Sequence, residues 1–485
     1  MLRLNKKERM RVWENVMQAI EVYTARVAEH RVTPQLDPDA IRVRLCRFDF
    51  QEALDPGRAI DFVVENLWNQ QVHTPHPSYF GLFNPNPTTM GIAADTLVAA
   101  FNPQLAAWSH SPFAAEVEMH LVRAFASRFG YDPASCDGTF CSGGMEANHT
   151  ALLAALTAQN PDFGEQGACS FSAPPVVYVS SEAHHSFLKA ARVSGIGTRA
   201  VRVVPVDERL RMNTAVLQDG IEKDRREGYL PVMLVGTAGT TGAGVIDPLE
   251  ELASIARDHN LWFHVDAAWG GAAALVPELR PLLDGCEQAD SITFDAHKWL
   301  SVPMGAGIFL TRHREVLLRA FQVVNTYMPK DATGLPVIDP YAHSLQWSRR
   351  FIGLKVFLSL AVAGWPGYEE AIRHQSRMGE ALRVALRARG WKIVNDTRLP
   401  VVCFTDPNCE EARHLEAIVA EVLRRGEAWI STALIGGKPA IRACITNYAT
   451  TDHEIEALVA TLEKARSAAT KDSKDLKDLK DPKDK

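Results

Sequence analysis

Two short runs carry the residues best suited to chemistry. His264-Val265-Asp266-Ala267-Ala268-Trp269-Gly270-Gly271 sets a carboxylate, Asp266, at the end of an apolar run (Leu261, Trp262, Phe263, Val265). Ser291-Ile292-Thr293-Phe294-Asp295-Ala296-His297-Lys298-Trp299-Leu300 sets a lysine, Lys298, directly after a histidine and 32 residues beyond Asp266. A lysine amine condenses with an aldehyde. A carboxylate beside a ring nitrogen favours that nitrogen's protonated form. Held together by one fold, the pair supplies what pyridoxal phosphate needs, a covalent anchor and a partner for the pyridine nitrogen. Singly, a strand-end aspartate is usually a turn residue and a lone lysine a solvated charge, so the weight lies in the combination.

Asp266-Ala267-Ala268 followed by His297-Lys298-Trp299 resembles the group II pyridoxal phosphate-dependent amino acid decarboxylases, which include the aromatic amino acid, histidine, glutamate and cysteine sulfinate enzymes. The resemblance runs from about Leu67 to about Glu456. It implies a fold type I enzyme that takes pyridoxal phosphate, turns an L-amino acid into its amine and carbon dioxide, and works as a homodimer with the site at the subunit interface. By the same resemblance Lys298, Asp266, His184 and Tyr327 are catalytic. His184, after Ala183, stacks on the cofactor ring, and Tyr327 returns a proton to Cα. Ser142, Gly143, Gly144, Met145, Thr241, Ala268 and His297 complete the cofactor site. Tyr79, Phe80, Leu82 and Arg442 face the substrate, with Arg442 on its α-carboxylate. Many relatives carry Asn where this chain has Asp295; an aspartate facing a phosphate is repelled unless it is turned away or protonated, so His297 is the preferred phosphate ligand.

The elements that position these residues follow from pattern. Thr139 to Asn148 is a glycine-rich turn opening a helix, whose first N–H groups suit a phosphate. Val176–Val179, Val201–Val206, Val232–Val235 and Leu261–Val265 are strands, alternating with helices at 185–194, 214–225 and 248–258. That alternation predicts a mostly parallel, seven-stranded-type sheet flanked by helices, with ligands beyond the strand C-termini. Ala306–Leu310 is a further strand. Residues 1–30 form a helix with a one-sided apolar stripe (Val12, Val16, Ile20, Tyr23, Val27), and another covers 59–68. Residues 114–129, 352–364, 368–389 and 411–425 are helical. Strands at 391–394, 400–404 and 441–445 make the C-terminal part α+β. The expected division is an N-terminal helical dimerisation segment at 1–80, a large cofactor-binding α/β domain at 81–350, a small α+β domain at 351–468 and a disordered Lys/Asp tail at 469–485.

Substrate class is read from His76 to Pro85, a Pro- and Gly-broken stretch rich in aromatics. Glutamate and cysteine sulfinate relatives follow the aromatic pair with Asn-Gln; here Gly81-Leu82 follows Tyr79-Phe80. An apolar wall leaves a second carboxylate unpaired, so an acidic substrate is disfavoured and an aromatic one favoured, with a non-acidic aliphatic amino acid as an alternative. Trp108 and His110 could shape the pocket too. Other fold type I chemistry, transamination or aldehyde-forming oxidative decarboxylation, stays open, as does a degenerate scaffold, against which the intact Asp266, His184, Lys298 and Tyr327 argue. His184-His185 is no metal pair, since neighbours on an extended segment point apart.

Composition agrees. The chain has 485 residues, 46% hydrophobic and 23% charged, with a net charge of −6, which gives no reason to expect nucleic acid or an anionic membrane as partner. No apolar run reaches the roughly 20 residues that span a bilayer. The mixed-charge N-terminus is no secretory signal, and eight cysteines without metal-like spacing read as reduced core residues of a cytoplasmic protein.

Overall fold

Helices open the chain: α1 (Lys6–Arg26), α2 (Pro38–Leu45), α3 (Pro56–Asn69), α4 (Thr89–Phe101) and α5 (Pro112–Arg128). The computed structural model describes residues 2–83, 86–323 and 337–478. Asn5 and Glu8 form a reciprocal capping box at the start of α1, satisfying two N–H groups that the helix cannot. No residue of α1 is buried, and Met10, Trp13 and Met17 face outward.

Strands and helices then alternate: β1 (Asp137–Cys141), α6 (Gly144–Gln159), α7 (Phe163–Gln166), β2 (Pro175–Ser180), α8 (Ser186–Val193), β3 (Val201–Val204), α9 (Thr214–Arg226), β4 (Leu230–Thr237), α10 (Leu249–Asp258), β5 (Trp262–Asp266), β6 (Ser291–Asp295), β7 (Gly307–Thr311) and α11 (Val316–Phe321). Among the described residues they build a seven-stranded sheet in the order β1-β7-β6-β5-β4-β2-β3. β2, β3, β4, β5 and β6 pair in parallel, and β7 runs antiparallel between β1 and β6. β1, β2, β5 and β6 are buried at every position, as expected of a sheet covered on both faces. This is the architecture predicted from the alternating pattern.

The rest is α12 (Gly353–Ala388), β8 (Lys392–Ile393), β9 (Val401–Thr405), α13 (Ala412–Arg425), β10 (Ser431–Ile435), β11 (Lys438–Cys444) and α14 (Asp452–Asp478). A four-stranded antiparallel sheet, β10-β11-β9-β8, packs on these helices. The two helices expected at 352–364 and 368–389 are the halves of α12, broken at Gly364 (φ 63°) two residues before Pro366. α14 continues to Asp478, past the residue at which the sequence reading begins its tail. β1, β6, β10, α2, α4, α7, α11 and α14 are not expected from the sequence pattern. Among the described residues no helix is long and apolar enough to cross a membrane.

The parallel strands bring their C-terminal ends to one edge. The turn after β1 carries Ser142 to Gly144, that after β2 His184, that after β4 Thr241, that after β5 Ala268 and that after β6 Lys298. Residues scattered over more than 150 positions therefore meet at one edge by topology alone.

Candidate active site

A cavity of about 820 Å³ opens at that edge, lined by Ser142, Gly143, Gly144, Met145, His184, Thr241, Asp266, Ala268, His297 and Lys298 among others. Every cofactor-site residue expected from the sequence thus lines one cavity. The lysine is held by an unexpected partner: Lys298 Nζ lies 3.0 Å from Asp295 Oδ2. Asp295 is almost fully buried, its Oδ1 meets no hydrogen-bond partner among the described residues, and His297 Nε2 stands 3.8 Å from its Oδ2. Asp295 therefore turns one oxygen towards the lysine, whose charge offsets its own, while it still borders the turn at Gly144.

Asp266 ends β5 with both oxygens engaged. Oδ1 accepts from the Ala268 amide at 3.1 Å and Oδ2 from Asn148 Nδ2 at 2.8 Å. Asn148 also donates to Ser186 Oγ at 2.9 Å. Asn148, not expected at the site from the sequence, stands one helical turn after Gly144, where the fold of α6 faces it to β5.

The N-terminus of α6 is bare. Gly143, its N-cap, makes no side-chain cap bond, and the leading amides of a helix have no partner within it. Glu146 closes the turn from outside: Ser142 donates to Glu146 Oε2 through its amide (2.8 Å) and its hydroxyl (2.6 Å), and Gln346 Nε2 donates to both Glu146 oxygens at 2.8 Å. The Ser142 hydroxyl is thereby engaged with Glu146. His297 accepts the Ala306 amide on Nδ1 at 3.0 Å, so in its neutral form the proton sits on Nε2. Burial lowers its pKa, against the pull of Asp295. His184 accepts the Ser186 amide on Nδ1 at 3.2 Å; burial lowers its pKa too, against the pull of Asp266. Both rings are therefore biased to the neutral form, each with one N–H to donate.

The aromatic segment differs from expectation. Tyr79, Phe80, Leu82 and Arg442 do not line this cavity. Tyr79 bridges to Trp429, the Phe80 amide donates to Trp429 O, and the Cys444 amide donates to Phe80 O. The segment is stitched to the small sheet, which buries Phe80 in that sheet's core. Leu82 is exposed. The ring that does reach the lysine is Phe83, part of the aromatic 76–85 stretch but not singled out within it: its centroid is 5.7 Å from Lys298 Nζ and 4.9 Å from Arg442 Cζ. Phe83 stacks on Trp269 at 4.6 Å, and Trp269 on Trp299 at 5.2 Å. Arg442 is buried and held by carbonyls: Nε donates to Thr241 O (3.0 Å) and Gly242 O (3.2 Å), and Nη1 to Gly81 O (2.9 Å). Its Nη2 meets no acceptor among the described residues. Tyr327 lies outside the described residues.

Residues 41–406 match the pyridoxal-dependent decarboxylase conserved domain. The chain belongs to this family and is a pyridoxal-dependent decarboxylase. It is 32% identical to an aromatic-L-amino-acid decarboxylase of Bacillus atrophaeus, over 87% of this chain and 88% of that one. It is 31% identical to an L-2,4-diaminobutyrate decarboxylase of Rhizobium meliloti (strain 1021), over 81% and 79%. Among solved structures, mouse CSAD superposes with a TM-score of 0.89 at 25% identity, covering 95% of this chain and 99% of that one. Oryza sativa TDC with PLP and tryptamine superposes with a TM-score of 0.91 at 23% identity, covering 96% and 99%.

The cavity of the decarboxylase fits its cofactor. The uncapped turn at Gly144 and Met145 suits a phosphate, and a Cβ at Gly144 would come within 2.8 Å of Asp295 Oδ2, so no side chain can fill the cradle. Lys298 and Asp266 line the same space, which sets an amine for the aldehyde and a carboxylate for the ring nitrogen in one cavity.

Proposed function

We propose that this decarboxylase acts on an L-amino acid with an aromatic side chain, releasing the amine and carbon dioxide. The observation that carries the reading is an aromatic wall behind the reacting amine: Trp269 lines the cavity and is backed by the buried Phe83, which stacks on it and whose centroid lies within 6 Å of Lys298 Nζ, an apolar surface suited to an aromatic side chain. The similarity to an aromatic-L-amino-acid decarboxylase supports it.

In this reading Lys298 holds the cofactor aldehyde, Asp266 its pyridine nitrogen, and the Gly144 and Met145 amides with His297 Nε2–H its phosphate; Ser142 and Gly143 shape that turn, and Ala268 and Thr241 border the ring. When bound, pyridoxal phosphate supplies the ring that takes up the electron pair left as the carboxylate departs. His184 covers the ring and excludes water from one face. Arg442 offers its unpartnered Nη2 to the substrate α-carboxylate, as a guanidinium suits a carboxylate. The Tyr327 phenol returns a proton to Cα, a role taken from the family resemblance alone. Tyr79, Phe80 and Leu82 lie outside the cavity lining and have no part in this reading of substrate binding.

The N-terminal segment at 1–80 is proposed to pair two copies. The exposed stripe of α1 and the apolar groove it forms with α3, lined by Ile20, Tyr23, Val63 and Leu67, resemble half of an interface. Trp13→Asp is expected to yield a monomer in light scattering; an unchanged mass would remove α1 from the contact.

The test of function is mass spectrometry on an incubation with pyridoxal phosphate and pooled amino acids, with carbon dioxide measured alongside. Tryptamine, tyramine or phenethylamine with matching carbon dioxide is expected. An aliphatic or acidic amine would overturn the substrate class. An aldehyde with peroxide, or a keto acid, would overturn the reaction.

A further inference from the structure

Asp266 stands at the end of a buried chain of polar groups that decarboxylation itself does not call upon. Trp262 Nε1 donates to Ser291 Oγ at 2.8 Å. Ser291 Oγ lies 2.8 Å from His264 Nδ1, and His264 Nε2 lies 3.2 Å from Asn148 Oδ1. Asn148 Nδ2 donates to Asp266 Oδ2 at 2.8 Å. His264 is fully buried, and burial pushes its pKa down to about 4, so the imidazole is neutral and carries one proton. Nε2 also has Thr293 Oγ1 at 3.3 Å, a hydroxyl that can accept as well as donate, whereas the amide oxygen of Asn148 only accepts; a proton on Nε2 satisfies both neighbours. Nδ1 is then bare and takes the Ser291 hydroxyl proton. The amide of Asn148 is fixed in turn, because reversing it would aim its oxygen at a carboxylate. Every donor in the chain points towards Asp266, and a run of bonds with one polarity strengthens each member.

We propose that His264 and Asn148 are positioning residues for the cofactor: their one-way hydrogen-bond relay holds the Asp266 carboxylate in the single orientation that serves the pyridine nitrogen. The inference rests on the assignment of Asp266 to that nitrogen. It goes beyond the substrate reading, because it concerns how firmly the nitrogen is kept protonated whatever the amino acid. The logic is that of outer partners to a ligand, whose loss commonly weakens binding by 10–100-fold in metal sites.

Two substitutions at 264 separate relay from packing. His264→Gln keeps an N–H near the position of Nε2 but not the ring, whereas His264→Phe keeps the ring, which meets Phe187 edge-on at 6.0 Å, but not the donor. The measurements are the pyridoxal phosphate dissociation constant by absorbance titration and the ¹⁵N shift of the pyridine nitrogen in labelled cofactor. The relay predicts that His264→Gln stays within about twofold of the parent, while His264→Phe binds about tenfold more weakly with its nitrogen shifted towards the unprotonated value. The reverse ranking, or a nitrogen shift unmoved in both, would overturn the proposal. Asn148→Ala removes the last donor without touching β5, and carries the same expectation should His264→Phe fail to fold; parent-like affinity and nitrogen shift in that variant would overturn the relay. Parental protein in the same titration reports separately on the cofactor assignment itself.

Discussion

Just before α12, Arg349 forms a buried ion pair with Glu118, and Glu118→Gln tests what that pair does. Arg349 Nη1 meets Glu118 Oε2, the two side chains being 4% and 5% exposed. Glu118 Oε1 meanwhile accepts the amides of Ile352 (3.1 Å) and Gly353 (2.9 Å), so one carboxylate both neutralises Arg349 and caps α12. Arg349 Nε has no partner among the described residues, which leaves Glu118 as the counter-charge. Glutamine retains an oxygen for the two amides but turns an NH₂ towards the guanidinium, donor against donor. At an effective dielectric near 20, opposite charges about 4 Å apart attract by about 4 kcal/mol, and breaking a buried pair from one side typically costs about 3–5 kcal/mol. The expected loss is therefore about 3–5 kcal/mol in urea unfolding followed by circular dichroism, with a thermal midpoint several degrees lower. The double variant Glu118→Gln/Arg349→Met should recover part of it, because no unpaired charge stays buried. Activity should fall with stability, since Leu345 and Gln346 line the cavity a few residues before Arg349. A Glu118→Gln protein within about 1 kcal/mol of the parent would refute the reasoning, for it would show Arg349 relaxing to solvent.

Three more expectations follow from the site. Gly144→Ala sets a Cβ 2.8 Å from Asp295 Oδ2 and 3.2 Å from Ala268 Cβ; overpacking of about 1–3 kcal/mol corresponds to roughly tenfold or weaker cofactor binding, read by absorbance titration. Arg442→Lys loses the fork that bonds Thr241, Gly242 and Gly81, so KM for the amino acid should rise about tenfold or more while the cofactor spectrum is unchanged. The third is a pH effect. His264 in the folded chain titrates at about 4, below its ordinary 6.5, so the unfolded chain binds the extra proton between those values. This contribution to stability is full above about pH 6.5 and is lost as the pH falls towards 4, by up to about 3 kcal/mol. Parent minus His264→Gln stability, measured in urea from pH 7 to pH 4, should decrease by that order; a difference independent of pH would show that His264 is not buried neutral.

Periodic sequence betrayed those elements whose burial is one-sided or strongly apolar. α10 has an apolar face and β4 is a run of Val, Met and Leu, and both stand close to where pattern set them. β1 and β6 are fully buried too, yet read Asp-Gly-Thr-Phe-Cys and Ser-Ile-Thr-Phe-Asp, too polar for a core strand until their partners are known. Asp137 is met by His343 across 206 positions and Ser291 by Trp262 and His264. Such polar residues are tolerated because each is hydrogen-bonded, and no local window holds that information. The site divides in the same way. Lys298 and Asp266 stood out by type and spacing. Asn148 and Phe83 gained meaning only when α6 and the 79–83 segment were seen against the sheet. Tyr79 and Phe80 drew attention as aromatics beside glycine, but backbone pairing with Trp429 and Cys444 decides which way they face, and Phe80 goes to the core of the small sheet.

That stitching also ties the small sheet to the rim of the cavity. Arg442 sits on β11, yet three of its hydrogen bonds go to carbonyls outside that sheet: Thr241 and Gly242 after β4, and Gly81 beside the N-terminal segment. Asn395 Nδ2 donates to Ala243 O at 2.7 Å, and Thr397 Oγ1 to Gly244 O at 2.7 Å, fastening the β8–β9 turn to the same loop. A guanidinium anchored on three segments leaves one nitrogen without a partner among the described residues, and that nitrogen is fixed relative to Lys298 by backbone rather than by flexible side chains. An arginine held in this way loses little further freedom on meeting a carboxylate, which is the property that the role proposed for Arg442, orienting the scissile bond, requires.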